Sequence, residues 1–179
     1  MALAEPMRHG DGETAALCAL SSPHERTGAV SYQDRINNPG PKKLLSLDGG
    51  GIRGVITLEV LARMESMLAD QLGAGDAFVL ADYFDYIAGT STGAVIAAGL
   101  ACGLRVEQLL DLYVHRGKEM FDKATLLHVL HYQYDTERLS ALLQSVLGAD
   151  TTLGSDTVRT LLLMIMRNAT TDSPWPLSN

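Results

Sequence analysis

Two glycine-rich turns, each following a short apolar run, constrain this chain more than any other feature. The first, Asp48-Gly49-Gly50-Gly51-Ile52-Arg53-Gly54, follows Leu44-Leu45-Ser46-Leu47. The second, Gly89-Thr90-Ser91-Thr92-Gly93, follows Tyr86-Ile87-Ala88. Both apolar runs read as strands buried on two faces. Helical periodicity follows each turn. Val60, Leu61, Met64, Met67 and Leu68 share one helix face, Glu59, Arg63, Ser66 and Asp70 share the other, and Gly73 is a stop. Ala94–Leu104 is small and apolar, as in a helix packed on a sheet. Val106, Leu109, Leu110, Tyr113 and Val114 predict the next helix. Leu139, Leu142, Leu143, Val146 and Leu147 predict another, with Asp135 or Thr136 as its N-cap. Val158–Met166 is a third strand candidate, although its leucines and methionines are also good helix formers. Strands alternating with helices predict an α/β layered fold with a parallel sheet.

At 179 residues the chain has the length of one ordinary domain. Hydrophobic residues make up 46% and charged residues 20%, which argues against wholesale disorder. The net charge of −7 disfavours a sequence-independent nucleic-acid binder, which needs a basic surface. Cys18 and Cys102 are the only cysteines, so neither a disulfide scaffold nor a cysteine-rich metal site is expected. Ala94–Leu104 falls well short of the ~20 residues of a spanning helix. Residues 1–42 differ from the rest: they hold Pro6, Pro23, Pro39 and Pro41, and their one apolar patch is Ala15–Leu20. Glu5, Arg8, His9, Asp11 and Glu13 interrupt any secretory signal, so this segment reads as a loose cytoplasmic arm before an ordered region at 43–179.

Successive backbone N–H groups in a glycine turn can form an anion-binding concavity, and the following helix adds its positive end. The first turn therefore suits a phosphate, or an oxyanion that forms during a reaction. A tight strand-to-helix connection needs only one glycine. Gly49-x-Gly51-x-x-Gly54 also matches the dinucleotide fingerprint, but Asp70, the acidic residue near the required distance, falls on the polar face of a predicted helix. The second turn has the strand–turn–helix context of a nucleophile elbow, in which small residues flank a serine lifted clear of the backbone. Its plainer reading is a helix N-cap. Parallel strands put both turns on one sheet edge, joining an attacking oxygen to N–H donors, the combination that acyl transfer needs.

Leu45–Gly54 and Ala81–Gly93, in this order and at this separation, resemble the patatin-like phospholipase family, with looser similarity through Thr170–Trp175. The resemblance implies a three-layer α/β/α fold and hydrolysis of lipid acyl esters by a Ser–Asp dyad at a membrane surface. It needs no cofactor, metal or nucleic acid. By position, Ser91 is the nucleophile, and Gly49, Gly50 and Gly51 form the oxyanion hole. Arg53 and Gly54 complete the glycine-turn motif, and Gly89 and Gly93 flank the elbow. The implied location is cytoplasmic, peripheral at membranes. The dyad aspartate, in an Asp-Gly-Gly or Asp-Gly-Ala motif downstream of the serine, has no counterpart after Ser91. Asp48 belongs to the glycine turn and is not that base. Three strand candidates fall short of the usual ~5–6 per sheet, and a sheet ending on an apolar strand leaves a sticky edge. The chain is therefore expected to be the N-terminal part of a patatin-like domain, nearly inactive by itself. The alternative is a non-catalytic remnant that keeps the fold and binds a lipid or a partner.

Other candidates are set aside. His115, His128 and His131 fall on predicted helices away from the elbow, and no cysteine or carboxylate completes a metal site around the latter two. Asp82 and Asp85 read as structural. Met64, Met67, Met164 and Met166 read as core filler. Phe84, Phe121, Tyr132, Tyr134 and Trp175 show no lipid-facing stripe.

Overall fold

In the computed structural model, which describes residues 30–121, 140–141, 143–168 and 170–179, the apolar runs form the sheet. Strand β1 is Leu44–Leu47, β2 is Tyr86–Thr90, β3 is Leu161–Asn168 and β4 is Ser173–Ser178. Their order is β1-β2-β3-β4. The first three run parallel, and β4 returns antiparallel along β3. The third strand starts later than its hydrophobicity suggests. Val158 is buried ahead of it, and the Arg159 N–H is spent on the Ala101 carbonyl at 2.8 Å, outside the ladder.

β4 was not among the strand candidates, because Pro174 and Pro176 interrupt it. At the edge of the described sheet two prolines at alternate positions are tolerated, since a missing N–H there breaks no ladder on the outer side. The strand covers the edge of β3 that was expected to be sticky. Asp172 makes the hairpin possible. It adopts φ 55°, which aspartate tolerates in turns, and donates its N–H to the Asn168 carbonyl at 2.9 Å.

Helix α1 is Tyr32–Asn37, α2 is Gly54–Leu72, α3 is Leu80–Tyr83, α4 is Thr92–Ala101 and α5 is Val106–Phe121. Residues 140–141 and 143–147 are also helical, and Leu147 packs against the core. Register aligns Leu45, Ile87 and Leu162 across the parallel strands. On this face Leu47, Ile87 and Leu162 join Leu58 and Leu61 of α2, Ile96 and Leu100 of α4, and Leu109 and Tyr113 of α5 in one core. Each such buried aliphatic side chain contributes about 1.5–3 kcal/mol. The opposite face is less covered: Leu44 is 63% exposed, and its neighbours in register, Tyr86 and Leu161, are half-buried. Layering is thus α/β, with one sheet face much better packed than the other.

Gly73 ends α2 with φ 61° as expected. The buried face of α2 differs from the expected one. Val60 and Met67 are exposed, while Leu58, Leu61 and Glu65 point inward. Of the four methionines read as core filler, Met64 and Met164 pack partly against the core, but Met67 and Met166 are exposed. In α5, Leu112 is buried and Val114 exposed. Glu65 explains the rotation of α2. Its carboxylate accepts the Leu80 N–H at 3.3 Å and the Val106 N–H at 3.1 Å, satisfying the starts of α3 and α5 together.

Burial raises the Glu65 pKa, against the lowering effect of those two N–H groups. A carboxyl whose folded pKa lies above its unfolded value contributes stability that is complete below the unfolded pKa. That contribution is lost as pH rises through the folded pKa. Glu65→Gln removes this titration and leaves one amide without an oxygen. It is expected to cost about 1–3 kcal/mol at neutral pH. The gap to wild type should widen on acidification through the carboxylate range, read from urea midpoints against pH.

Residues 30–42, placed by sequence in the loose arm, are structured. Ser31 and Asp34 form a reciprocal cap on α1. Buried Arg35 pairs with Asp85 at 3.2 Å and donates to the carbonyls of Arg159, at 2.9 Å, and Ala81. The anchor is long-range, so no local period announced it. Burial opposes ionisation of Asp85. The Lys43 amide and the Arg35 guanidinium outweigh it and hold the carboxyl below its usual value. Arg35→Ala is expected to destabilise by about 3–5 kcal/mol, because it strands a partly buried carboxylate and two carbonyls. Denaturant midpoints measure this. Asp82 is structural as expected: it accepts the Val79 N–H at 3.2 Å and pairs with Arg159. Arm residues 1–29, including Ala15–Leu20 and Cys18, lie outside the described residues.

Candidate active site

Ser91 connects β2 to α4 with φ 54° and ψ −120°. It and Asp172 are the non-glycine residues with positive φ among the described ones, but the two differ in kind. Asp172 lies in a hairpin turn, where a short polar side chain visits positive φ routinely. The ψ of Ser91 is far from the left-handed helical value of about +47°, so its backbone is strained. Such strain persists only where the surroundings impose it, and it concentrates at functional sites. Ser91 occupies the N-cap position of α4, yet its side chain makes no capping hydrogen bond. That removes the plainer reading of the second turn. Its backbone is held instead: the N–H donates to Ile165 of β3 at 3.0 Å, and the carbonyl accepts from Ala94 at 2.9 Å. The residue is exposed at the sheet edge.

The flanking glycines are required by space. A Cβ on Gly89 would lie 2.2 Å from the Gly93 carbonyl oxygen, and one on Gly93 would lie 2.5 Å from the Leu47 oxygen. The second turn therefore packs directly on the end of β1. From the other side, a Cβ on Gly49 would meet the Thr90 oxygen at 2.8 Å and the Ser91 Cβ at 3.0 Å. The two turns are in contact, so the glycines and the serine that were read as one site are brought together.

Within the first turn, Gly51 has φ 61° and open space where a side chain would sit, so conformation rather than room selects glycine there. Gly54 starts α2 with the Tyr113 ring against it: a Cβ would approach Cε1 to 2.9 Å. The Arg53 Nε donates to the Gly50 carbonyl at 3.4 Å, closing the turn on itself. The amides of Gly50 and Gly51 both donate to the Thr92 Oγ1, each at 3.0 Å. The Tyr113 hydroxyl donates to the Thr92 carbonyl, also at 3.0 Å. Sequence reasoning missed these roles of Thr92 and Tyr113. Thr92 reads as a filler position inside a G-x-S-x-G pattern, and Tyr113 as one more apolar position of a helix.

The remaining candidates fall away from this site. His115 lies on the exposed part of α5, with Nδ1 2.9 Å from an oxygen of Asp111. His128, His131, Tyr132 and Tyr134 lie outside the described residues. Cys102 is half-buried at the end of α4, and burial pushes its thiol up to about 11. Phe84 is buried edge-on against Tyr83, and Trp175 stands half exposed on β4. No cluster of metal-ligating side chains occurs among the described residues, and none of their helices is long and apolar enough to cross a membrane. A groove of about 600 Å³ runs along α2, lined by Val60, Arg63, Met64, Met67 and Leu68, but neither glycine turn lines it.

The model of the patatin-like phospholipase family matches residues 45–173, from β1 through both turns to the start of β4. The chain belongs to the patatin-like phospholipase family. It is 32% identical over 137 residues to a cGAMP-activated phospholipase of Escherichia coli (strain TW11681), a match covering 74% of this chain and 38% of that protein. A cGAMP-activated phospholipase of Vibrio cholerae is 30% identical over 143 residues, covering 74% and 39%. Patatin-17 of Solanum cardiophyllum is 35% identical over 112 residues, covering 59% and 28%. The chain thus spans about two-fifths or less of the length of these relatives.

Proposed function

We infer that this chain carries the nucleophile and oxyanion-binding part of a serine lipid acyl hydrolase, with phospholipids or related esters at a membrane surface as substrates. The Ser91 Oγ attacks the acyl carbonyl carbon. The ester C–O bond then breaks, the deacylated lipid leaves as an alcohol that takes up the proton given up by Ser91, and water hydrolyses the acyl-enzyme to the free fatty acid and the serine hydroxyl. The glycine turn Gly49–Gly51 supplies amides to the charge on the tetrahedral intermediate, those of Gly50 and Gly51 by sharing their hydrogens between it and the Thr92 Oγ1 that they already meet; a dedicated donor of this kind is worth about 2.7–4 kcal/mol of barrier. The strained, uncapped Ser91 carries the reading: a serine held at that φ and ψ against a glycine turn has no need of such strain for folding alone. Exposed Ile52 and Ile56, beside the turn, offer apolar surface to an acyl chain.

A serine hydroxyl without a general base is a weak nucleophile. No Asp-Gly pair follows Ser91 in this sequence. The 179-residue chain by itself is therefore expected to turn over esters near the buffer background. The second reading is a non-catalytic lipid- or partner-binding module of the same fold. Covalent capture by a fluorophosphonate separates the two, since it needs the serine but not full turnover.

A further inference from the structure

We propose that Thr92 is a positioning residue, a latch that holds the Gly50 and Gly51 amides convergent beside the nucleophile; the proposal rests on the reading of Ser91 above. Two successive N–H groups of a glycine-rich turn have many directions open to them, and one of these glycines, Gly51, sits at positive φ. Here both donate to a single oxygen, the Thr92 Oγ1, at 3.0 Å. A hydroxyl has two acceptor lone pairs, and these two amides occupy both. Donors held side by side on one oxygen stay aligned, and an oxyanion next to Ser91 reaches them through three-centre bonds shared with that hydroxyl. The hydroxyl belongs to the residue directly after Ser91.

Thr92 is itself fixed from the other side. Its carbonyl accepts the Tyr113 hydroxyl at 3.0 Å, and the Tyr113 ring packs on Gly54, where the glycine turn passes into α2. The turn, Thr92, Tyr113 and Gly54 thus form a closed ring of contacts across three helices. The start of the helix bearing Tyr113 is held in turn by Glu65 through the Val106 N–H. Releasing the Thr92 hydroxyl frees both amides at once, while the fold keeps its apolar core. A preorganised donor pair is worth more than a mobile one because no reorganisation is required as charge develops.

The test compares Thr92→Val, which keeps the shape and removes the acceptor, with Thr92→Ser, which keeps the hydroxyl. Amide hydrogen exchange at Gly50 and Gly51 is read by NMR, with thermal melting as a folding control. Thr92→Val is expected to lower protection at both amides about tenfold, the scale of one net hydrogen bond, and Thr92→Ser to restore it. The rate of fluorophosphonate capture at Ser91 should fall about tenfold to hundredfold in Thr92→Val, short of the loss of a whole donor, and recover in Thr92→Ser. Unchanged protection in Thr92→Val overturns the latch. So does faster capture, which would make the hydroxyl a plug rather than a support. If wild type is never captured at Ser91, the nucleophile reading fails, and the exchange measurement still decides the latch.

Discussion

Prolonged exposure to a fluorophosphonate is expected to add one adduct to this protein, on Ser91, and Ser91→Ala is expected to give none. The reagent carries its own good leaving group, so capture asks less of the protein than ester hydrolysis does. A serine lifted onto a strained bend, at the positive end of α4 and against the amides of the glycine turn, satisfies most of what capture requires. Intact mass and peptide mapping read the outcome. The same samples, offered a lipid ester, should release product at the background rate with or without Ser91. An adduct on another serine, or none in wild type, removes the hydrolase reading and favours the non-catalytic module. Robust ester turnover abolished by Ser91→Ala refutes the expectation that this chain is inactive alone.

The second large effect is structural. Gly89→Ala is expected to destabilise the protein by about 3 kcal/mol or more, at or beyond the upper end of overpacking costs. The introduced Cβ runs into the Gly93–Ala94 peptide: the Gly93 oxygen and carbon at 2.2 and 2.4 Å and the Ala94 nitrogen at 2.6 Å. No flexible side chain can give way, so the elbow itself must move. For a chain of this size, 3 kcal/mol corresponds to a fall in melting temperature of roughly 6–12 °C. Gly51→Ala is the informative comparison. Nothing lies within 4 Å of its Cβ, and only the positive φ is penalised, at about 1–2 kcal/mol. Thermal melts of the two variants separate crowding from conformation. Equal shifts would mean that the two turns do not interlock as described.

These predictions show how unevenly the site was written into the sequence. The glycine turn and the G-x-S-x-G bend are short patterns, and steric rules act within a few residues, so the two strand-to-helix turns at Gly49–Gly51 and Gly89–Gly93 were legible as turns directly. The helices were legible too, because α2 and α5 carry a 3.6-residue period and α4 is an unbroken run of small apolar residues. Their inward faces were less so. Glu65 lies inside because its carboxylate serves two helix starts, and hydrophobic periodicity treats a carboxylate as outward. β4 was missed because its prolines argue against a strand, a rule that relaxes at an edge. Arg35 was missed because its partners, Asp85, Ala81 and Arg159, lie far away in the chain and meet it only after folding.

What local sequence determined by itself is the pair of turns: a serine bend too tight for a Cβ at Gly89, and a glycine turn in which Gly51 sits at positive φ. Sterics within a few residues suffice for these two positions. Only the tertiary structure decided that these parts touch, that α1 is pinned to the sheet, and that a threonine hydroxyl gathers two amides to one point. Those outcomes depend on strand order, helix rotation and hydrogen bonds between distant segments, and no window of neighbouring residues encodes such distances.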